Sequence, residues 1–250
     1  MSGKMVSTVM VVPCYNEAGR LSPEAFRAFA ESWRHGSFLF VDDGSTDHTF
    51  AVLAKLQATF PTGFDVLRLP GNVGKAEAVR LGVLEALRSE PAYVGFWDAD
   101  LAIPLDAIPL FEAVFRDRPQ TEVVLGARVK LLGRDVQRKP VRHYLGRVFA
   151  TAVAIVVGVQ VYDSQCGAKL FRATSTVRAL FATPFRSRWI FDVEILVRFL
   201  QLRGRDAAHG AEALLYELPL PVWHDVDGSK LRPRDFGQAM IDLARIYRGS

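Results

Sequence analysis

The sequence predicts an α/β fold in which helices flank a mostly parallel β-sheet. In the first half of the chain, short apolar runs alternate with helical patterns, which is typical of repeated βα units. The run at residues 38–41 is continuously apolar and the run at 6–12 is largely so, as expected of strands buried on both faces of a parallel sheet. Acidic residues follow two such runs directly, at 42–43 and 98–100, where strands of this sheet would end.

Local signals mark the elements of the first half. The first strand ends at Pro13, and Ser22 with Pro23 begins a helix as its cap and first residue. Asp47 is expected to cap a helix that reaches residue 60. The other predicted elements are strands at 38–41, 64–69, 92–97 and 122–125, a helix from the NVGK sequence at 72–75, and a helix from Asp106 to about residue 115.

The second half is less regular. A segment rich in Arg and Lys at 130–147 precedes an apolar run at 149–159, which has about half the length of a membrane-spanning helix. Two interpretations stay open: a platform in a membrane interface, or a solvated basic face beside a buried core helix. The other predicted elements are a strand at 169–172, an amphipathic helix at 191–202, a strand at 213–218 and a terminal helix from Pro233.

Composition narrows the class of protein. Half of the 250 residues are hydrophobic, and the net charge of +4 fits an anionic substrate or an anionic membrane surface. We expect no nucleic acid partner. Only Cys14 and Cys166 occur, so we expect a reducing compartment, no disulfide framework and a packing role for both thiols. The sequence shows no secretory signal and no stretch long enough to span a membrane.

The two acidic clusters need an explanation because neighbouring carboxylates repel each other. Parallel strands bring their carboxyl ends to one edge of a sheet, so Asp42, Asp43, Asp98 and Asp100 are predicted to lie at the same edge. Mg²⁺ or Mn²⁺ bound to a substrate polyphosphate uses such oxygens, usually from one or two carboxylates. The alternative for the DAD sequence at 98–100 is a strand-ending turn with solvated acids.

The sequence does not match two other classes of phosphate-binding protein, the dinucleotide-binding dehydrogenases and the P-loop proteins. The first predicted strand is not followed by the GxGxxG of dinucleotide-binding dehydrogenases, and GNVG at 71–74 lacks its third glycine. The sequence also contains no P-loop pattern. Its five histidines form no pair with metal-ligand spacing.

Four motifs occur in order: PCYNE at 13–17, DDGSTD at 42–47, NVGK at 72–75 and DAD at 98–100. They resemble those of family 2 inverting glycosyltransferases, whose GT-A fold is a Rossmann-like, mostly parallel sheet flanked by helices. GAR at 126–128, DSQCGAKLF at 163–171, WIFDVE at 189–194 and GSKL at 228–231 are similar to elements of dolichyl- and polyprenyl-phosphate β-glucosyltransferases. Two features depart from the resemblance. The eukaryotic glucosyltransferases carry an N-terminal membrane anchor that is not seen here, and Ala102 stands where related mannosyltransferases often have a metal-assisting Gln.

The resemblance implies roles for the strand-end residues. The expected donor-binding residues are Pro13, Tyr15, Glu17, Asp43, Lys75 and Asp98. Within this set, Asp43 would accept the imide N–H of uracil, and Lys75 would stabilise the leaving diphosphate and so take part in catalysis. Asp98 and Asp100 would hold Mg²⁺ or Mn²⁺, with Asp100 as a direct ligand.

The second half would bind the acceptor. Arg128, Lys169 and Arg172 are the expected ligands of an acceptor phosphate. Asp163 is the first candidate for a catalytic carboxylate and Asp192 the second, with a helix cap or similar structural role as the alternative for each. Because the second pKa of a phosphate monoester is about 6, the acceptor is largely deprotonated at neutral pH, and we expect a carboxylate to position it more than deprotonate it.

These roles predict a single GT-A domain over residues 1–250, with a donor half at 6–127 and an acceptor half at 128–250. The expected reaction is inverting transfer of a hexose, glucose from UDP-glucose, to a polyprenyl phosphate. We expect the protein to be cytoplasmic and to bind peripherally to the cytoplasmic face of a membrane. The alternatives are mannosyl transfer from GDP-mannose, transfer to a soluble acceptor, and a nucleotide-sugar-binding module without catalysis.

Overall fold

The computed structural model describes residues 7–136, 151, 153–154, 158–204, 210, 213–224, 239 and 241–246. The chain divides into two units, Met1–Leu101 with Ala168–Pro184, and Ala102–Gly167 with Phe185–Ser250. The predicted boundary between halves lay near residue 127, whereas the structure groups 102–127 with the second unit and 168–184 with the first. The single functional domain stays a prediction.

Strands and helices alternate through most of the described chain. The strands are β1 (Thr8–Cys14), β2 (Gly36–Asp42), β3 (Phe64–Arg68), β4 (Tyr93–Trp97), β5 (Val123–Ala127), β6 (Asp135–Val136), β7 (Ala168–Arg172), β8 (Leu215–Pro219) and β9 (Val222–Trp223). The helices are α1 (Pro23–Ser32), α2 (Thr49–Thr59), α3 (Lys75–Ala86), α4 (Ile108–Asp117), α5 (Ser175–Ala182) and α6 (Phe191–Arg203). The mostly parallel α/β architecture predicted from the sequence is thereby confirmed.

The sheet of the first unit has the strand order β3-β2-β1-β4-β7. β1 pairs in parallel with β2 and β4, and β2 with β3, while β7 runs antiparallel to β4. Cys14 is in register with Asp42, so the carboxyl ends of β1 and β2 meet at one edge. The loops that carry the sequence motifs therefore start from the same edge of the sheet.

Side-chain alternation along β2 places α1 and α3 on opposite faces of this sheet. Phe26 of α1 packs edge-to-face on Phe38 and Phe40, with ring centroids 5.2 and 5.0 Å apart. Val41 points to the other face, where a Cβ on Gly82 of α3 would lie 2.7 Å from its Cγ2 atom. A glycine at this position lets α3 approach the sheet closely, which positions the amino end of α3 beside the strand ends.

One predicted helix start is confirmed, and the ends of two other predicted helices are displaced by one or two residues. The Ser22 hydroxyl accepts the N–H of Ala25 at 3.4 Å and Pro23 begins α1, as predicted. The Asp47 carboxylate accepts the N–H of Thr49 at 2.9 Å, but His48 is the N-cap and α2 ends at Thr59. A single 3₁₀ turn at Leu105–Ala107 precedes α4, which begins two residues later than predicted.

The second unit contains the parallel pair β5 and β8 and the parallel pair β6 and β9. The predicted strand at 213–218 is displaced to β8, because residues 213–214 are still helical. The helix at 191–202 was predicted to be amphipathic, and this was wrong. Most of α6 is buried, including Asp192 and Glu194, so its buried residues do not form a single apolar face.

Several predicted features lie outside the described residues. They are residues 137–147 of the basic segment, most of the apolar run at 149–159, the GSKL sequence at 228–231 and the start of the terminal helix at Pro233. Within the part of the chain that the structure describes, no helix is both long and apolar enough to cross a membrane.

Candidate active site

The loops that follow β1 and β2 are hydrogen-bonded to each other at the carboxyl edge of the first unit's sheet. The N–H of Asp43 donates to the Cys14 carbonyl at 2.8 Å. The side-chain oxygen of Asn16 accepts the N–H of Thr46 at 2.9 Å. Asn16 has a φ of 53°, a left-handed conformation that asparagine tolerates better than most residues. The motifs at 13–17 and 42–47 thus form one connected surface.

Asp43 is buried, and its carboxylate accepts hydrogen bonds from the turn that leads into α3. Oδ1 accepts the N–H of Val73 at 2.7 Å, and Oδ2 accepts the N–H of Gly74 at 2.9 Å. The side-chain amide of Asn72 donates to Oδ2 at 3.1 Å. A carboxylate is favourable at a helix amino end because it meets N–H groups and the positive end of the dipole. Asp43 therefore orients the turn that presents Lys75, and its predicted contact with uracil stays a prediction.

The loop at 42–45 also touches the turn before α3 through its backbone. Gly44 has a φ of 64°, and a Cβ there would lie 2.4 Å from the carbonyl carbon of Gly71. Asp42 is fully buried, and its Oδ1 accepts the N–H of Ser45 at 3.1 Å. Its Oδ2 makes no hydrogen bond within the described chain but lies 3.5 Å from Nε of Arg68. The Arg68 guanidinium therefore offsets the charge of this buried carboxylate.

Cys14 at the end of β1 is a packing residue. Burial first, and then the negative charges of Glu17 and Asp42, raise the pKa of the Cys14 thiol well above its ordinary value. Its Sγ donates to the Val12 carbonyl at 3.5 Å. A thiol that stays protonated is unsuited to nucleophilic attack or metal binding, which supports the role expected from the sequence.

Lys75 begins α3, and its Nζ lies 2.5 Å from Oδ1 of Asp98. The ammonium therefore stands beside the acidic cluster after β4, with both side chains partly exposed. A lysine in the first turn of a helix opposes the helix dipole, so local stability does not explain this residue. An anion such as a diphosphate would be attracted by the ammonium and the helix terminus together.

Arg20 belongs to this site but was missed in the sequence. Its Nε and Nη2 atoms donate to the Glu17 carboxylate at 2.9 and 2.5 Å. The hydrogen bond to Glu17, with a further contribution from the charge of Asp100, raises the pKa of Arg20. The only sequence signal was the position of Arg20, three residues after Glu17. The carboxylate of Glu17 is thus engaged by Arg20, whose charge lies close enough to influence Asp100.

The carboxylates after β4 suit a divalent cation that is completed by substrate phosphates. The described residues contain no group of three or more His, Cys, Asp or Glu arranged to hold a metal alone. Mg²⁺ in phosphate-transfer sites is usually held by one or two carboxylates together with substrate oxygens. Asp98 and Asp100 provide two carboxylates at the strand end, and Lys75 already places a positive charge on one of them. The residue types present therefore suit Mg²⁺ or Mn²⁺, and the assignment of Asp98 and Asp100 as its ligands stays a prediction.

The predicted acceptor cations of the first unit differ in exposure. Lys169 of β7 is fully buried, with its Nζ 5.2 Å from the centre of the Phe96 ring. The Lys169 ammonium therefore does not face solvent, and it is not placed in this structure to contact an acceptor phosphate directly. Arg172 at the end of β7 is partly exposed, with its guanidinium 5.6 Å from the centre of the Tyr93 ring.

The second unit pairs two residues that the sequence had assigned to different tasks. Nε and Nη2 of Arg128 donate to the carboxylate of Asp163 at 2.6 and 2.7 Å, and the Arg128 N–H donates to the same carboxylate at 3.0 Å. The Trp223 ring lies 5.5 Å from Cζ of Arg128. A buried carboxylate with three hydrogen bonds is poorly placed to take a proton, since protonation would disrupt the ion pair. The geometry favours a positioning role for Asp163 over a general-base role.

Two further acids in the second unit complete the description. Glu217 of β8, which no motif indicated, accepts the N–H groups of Tyr162 and Asp163 at 2.8 and 2.9 Å. Its only sequence signal is an acid inside an otherwise apolar strand pattern. Asp192 is buried in the first turn of α6, where its charge is favourable for the helix dipole. That position is compatible with the structural alternative for Asp192, and its catalytic role stays a prediction.

The predicted site residues thus separate between the two units. All of the donor and metal candidates belong to the first unit, as do two acceptor candidates: Pro13, Tyr15, Glu17, Asp43, Lys75, Asp98, Asp100, Lys169 and Arg172. Arg128, Asp163 and Asp192 belong to the second unit.

Comparison with known proteins gives consistent matches. The model of the family described as glycosyl transferase family 2 matches residues 9–178. A dolichyl-phosphate beta-glucosyltransferase of Trichomonas vaginalis is 30% identical over 253 residues, spanning 96% of this chain and 71% of the relative. The enzyme of the same description from Saccharomyces cerevisiae is 32% identical over 243 residues, spanning 89% of this chain and 68% of the relative.

Solved structures show the same fold. Glucosyl-3-phosphoglycerate synthase from Mycobacterium tuberculosis, in complex with Mn²⁺, UDP and glucosyl-3-phosphoglycerate, superposes with a TM-score of 0.66. The match covers 98% of this chain and 81% of that one, at 19% sequence identity. The GT-A fold expected from the sequence motifs is confirmed.

Proposed function

The chain belongs to glycosyl transferase family 2, and on that premise we propose that it transfers glucose from UDP-glucose to a polyprenyl phosphate of the dolichyl type, with inversion. The observation that carries the proposal is the match to dolichyl-phosphate beta-glucosyltransferases over 96% and 89% of this chain. Those relatives span both units, so the likeness includes the donor motifs and the residues around Arg128.

In the proposed reaction, a phosphate oxygen of the acceptor attacks the anomeric carbon of glucose from the face opposite the diphosphate. The bond between that carbon and the β-phosphate oxygen breaks, and its electron pair leaves with UDP. Lys75 and the amino end of α3 stabilise the charge that develops on the leaving diphosphate. Mg²⁺ or Mn²⁺ held by Asp98 and Asp100, when bound, supplies further positive charge to that group.

The proposed reaction requires little general-base catalysis. The acceptor phosphate is mostly ionised at neutral pH, because its second pKa is about 6. The engagement of Asp163 by Arg128 supports this view, because the buried carboxylate already serves as an ion-pair partner. We therefore assign Asp163 to the positioning of Arg128, and Arg128 to the acceptor phosphate.

A screen of donors against acceptors tests the function. UDP-glucose, UDP-galactose and GDP-mannose are offered with Mn²⁺, each with a short polyprenyl phosphate or with 3-phosphoglycerate as a soluble acceptor. We expect transfer from UDP-glucose to polyprenyl phosphate. Calorimetry should show UDP binding at least about tenfold tighter than GDP, because the larger guanine would not place an N–H group where the uracil imide is proposed to meet Asp43. Preferred use of GDP-mannose or of the soluble acceptor would contradict the proposal, and UDP binding without any turnover would indicate a non-catalytic module.

We further propose that the protein works at the cytoplasmic face of a membrane and contacts it through the turn after β5. Leu132 is fully exposed and Leu131 is 47% exposed. The exposed cations Lys130 and Arg134 flank them, and the Arg134 N–H closes the turn on the Leu131 carbonyl at 3.2 Å. Exposed leucines between cations match an anionic lipid surface, where the apolar side chains insert and the cations remain among headgroups.

Replacing both leucines with serine should weaken vesicle binding. Complete burial of a leucine side chain contributes about 1.5–3 kcal/mol. Removing two leucines from the membrane contact should therefore weaken vesicle binding by about tenfold or more. Sedimentation with vesicles containing anionic lipid measures it. The matched control replaces Leu110 and Leu202, which are 42% and 49% exposed, and should bind like the wild type. Equal binding by both double variants would exclude this turn as the contact.

A further inference from the structure

We propose that Glu217 is a positioning residue for the acceptor phosphate, which acts by fixing the backbone at 162–163 so that Asp163 holds the Arg128 guanidinium in place. The inference rests on the proposed function, since it takes Arg128 as the ligand of that phosphate. Glu217 lies in none of the sequence motifs, and its effect would pass through two intermediate contacts without any contact to substrate.

The first contact joins β8 to the loop before β7. Glu217 is in register with Leu125 of β5, which places its backbone in the middle of the strand pair. Its Oε2 accepts the N–H of Tyr162 at 2.8 Å and its Oε1 accepts the N–H of Asp163 at 2.9 Å. Two consecutive N–H groups directed at one carboxylate fix the orientation of both peptide planes. The position of the Asp163 Cβ is therefore set from β8.

The second contact joins that loop to Arg128. The two carboxylate oxygens of Asp163 bind Nε and Nη2 of Arg128 side by side, at 2.6 and 2.7 Å. This two-point pairing fixes the plane of the guanidinium as well as its position. The Trp223 ring lies 5.5 Å from Cζ, and a fifth of the Arg128 side chain remains exposed to solvent. The guanidinium is thus held in one orientation while it is still reachable by an anion.

Holding Arg128 matters because an unrestrained arginine side chain samples many rotamers. Binding a phosphate would then require the side chain to be ordered at that moment, which weakens the affinity. If Glu217 and Asp163 order it beforehand, their loss should raise the KM for the acceptor. The predicted donor residues lie in the first unit, so the KM for UDP-glucose should stay unchanged.

Glu217→Gln is the test variant, because glutamine has the same shape but only one acceptor oxygen. Its Nε2 group is a donor and would face one of the two backbone N–H groups. We expect the KM for polyprenyl phosphate to rise about tenfold while the KM for UDP-glucose remains within about twofold. The matched control is Glu122→Gln, which removes a buried carboxylate paired with Arg203 just before β5. It should lower the melting temperature without changing the acceptor KM.

A double-mutant cycle separates positioning from general stability. Arg128→Lys removes the planar, two-point pairing, so the acceptor KM should rise in that variant as well. If Glu217 acts through Arg128, adding Glu217→Gln to Arg128→Lys should raise the acceptor KM no further. Multiplicative effects, or equal rises in the KM for donor and acceptor, would overturn the inference.

Hydrogen exchange gives a reading that does not depend on the acceptor. In Glu217→Gln, the amides of Tyr162, Asp163 and Arg128 should exchange faster than in the wild type, while the amides of β1 should not change. Unchanged exchange at 162–163 would overturn the inference even if catalysis were impaired. A wild-type enzyme that transfers glucose only to another acceptor would refute the proposed function instead, and the exchange measurement would still decide whether Glu217 fixes this loop.

Discussion

Asp100→Asn is expected to reduce glucosyl transfer by about 10³-fold or more, because the proposed metal site would lose a carboxylate ligand and its negative charge. Asparagine keeps the size of the side chain, and Asp100 is partly exposed in the turn after β4. The free energy of unfolding should therefore change by no more than about 0.5 kcal/mol. Turnover with UDP-glucose and polyprenyl phosphate at saturating Mn²⁺ measures the activity, and thermal unfolding measures the stability.

The cation can be followed without turnover. In the wild type, Mn²⁺ together with UDP should raise the melting temperature more than UDP alone, since a ligand that binds only the folded state stabilises it. Asp100→Asn should lose the part that depends on Mn²⁺. Asp106→Asn, at an exposed acid in the 3₁₀ turn before α4, is the control and should behave like the wild type. Full activity of the wild type in EDTA, or normal turnover by Asp100→Asn, would refute the metal-dependent mechanism.

Lys75→Gln is expected to lower kcat by about 10²-fold through the loss of positive charge beside the leaving diphosphate. The same change should leave stability unaltered or slightly improved. A cation in the first turn of a helix opposes the dipole by about 0.3–1 kcal/mol, and the partly exposed pair with Asp98 is worth about 0–1 kcal/mol. These two contributions are similar in size and opposite in sign. Loss of activity without loss of stability would identify Lys75 as functional.

Lys55→Gln is the matched control for Lys75→Gln, because Lys55 is an exposed lysine on α2. Both variants remove one positive charge, so a general change in the protein's field would affect them alike. Only Lys75→Gln should lose activity. Its affinity for UDP should also fall, as measured by calorimetry, whereas that of Lys55→Gln should not. Equal activity of the two variants would mean that the diphosphate is stabilised elsewhere.

The location of the proposed donor residues could be predicted from the sequence, and their roles stay predictions. These residues sit in loops that directly follow parallel strands, so the strand pattern already places them at one edge of the sheet. The helix at this edge was predicted from its NVGK start, and α3 begins at the lysine of that sequence. What the sequence missed there was Arg20, because an arginine in a loop carries no periodic signal.

The acceptor side could not be predicted to the same depth. The sequence assigned Arg128 to phosphate binding and Asp163 to catalysis as separate residues, and the structure pairs them across 35 positions in the chain. Glu217 lies 54 positions beyond Asp163 and binds its backbone N–H. Lys169 was expected to meet an acceptor phosphate, and in the structure it is fully buried in β7. None of these relations follows from local spacing.

The sequence by itself determined the α/β class, the family resemblance and the strand-end location of the donor motifs. These follow from the period of apolar residues and from turn chemistry, which act over a few neighbouring positions. Only the tertiary structure decided that Asp43 holds the turn before α3, that Asp163 pairs with Arg128 and that Glu217 accepts the N–H groups at 162–163. Such roles depend on which distant backbone groups are buried together and must find a hydrogen-bond partner, and packing alone settles that.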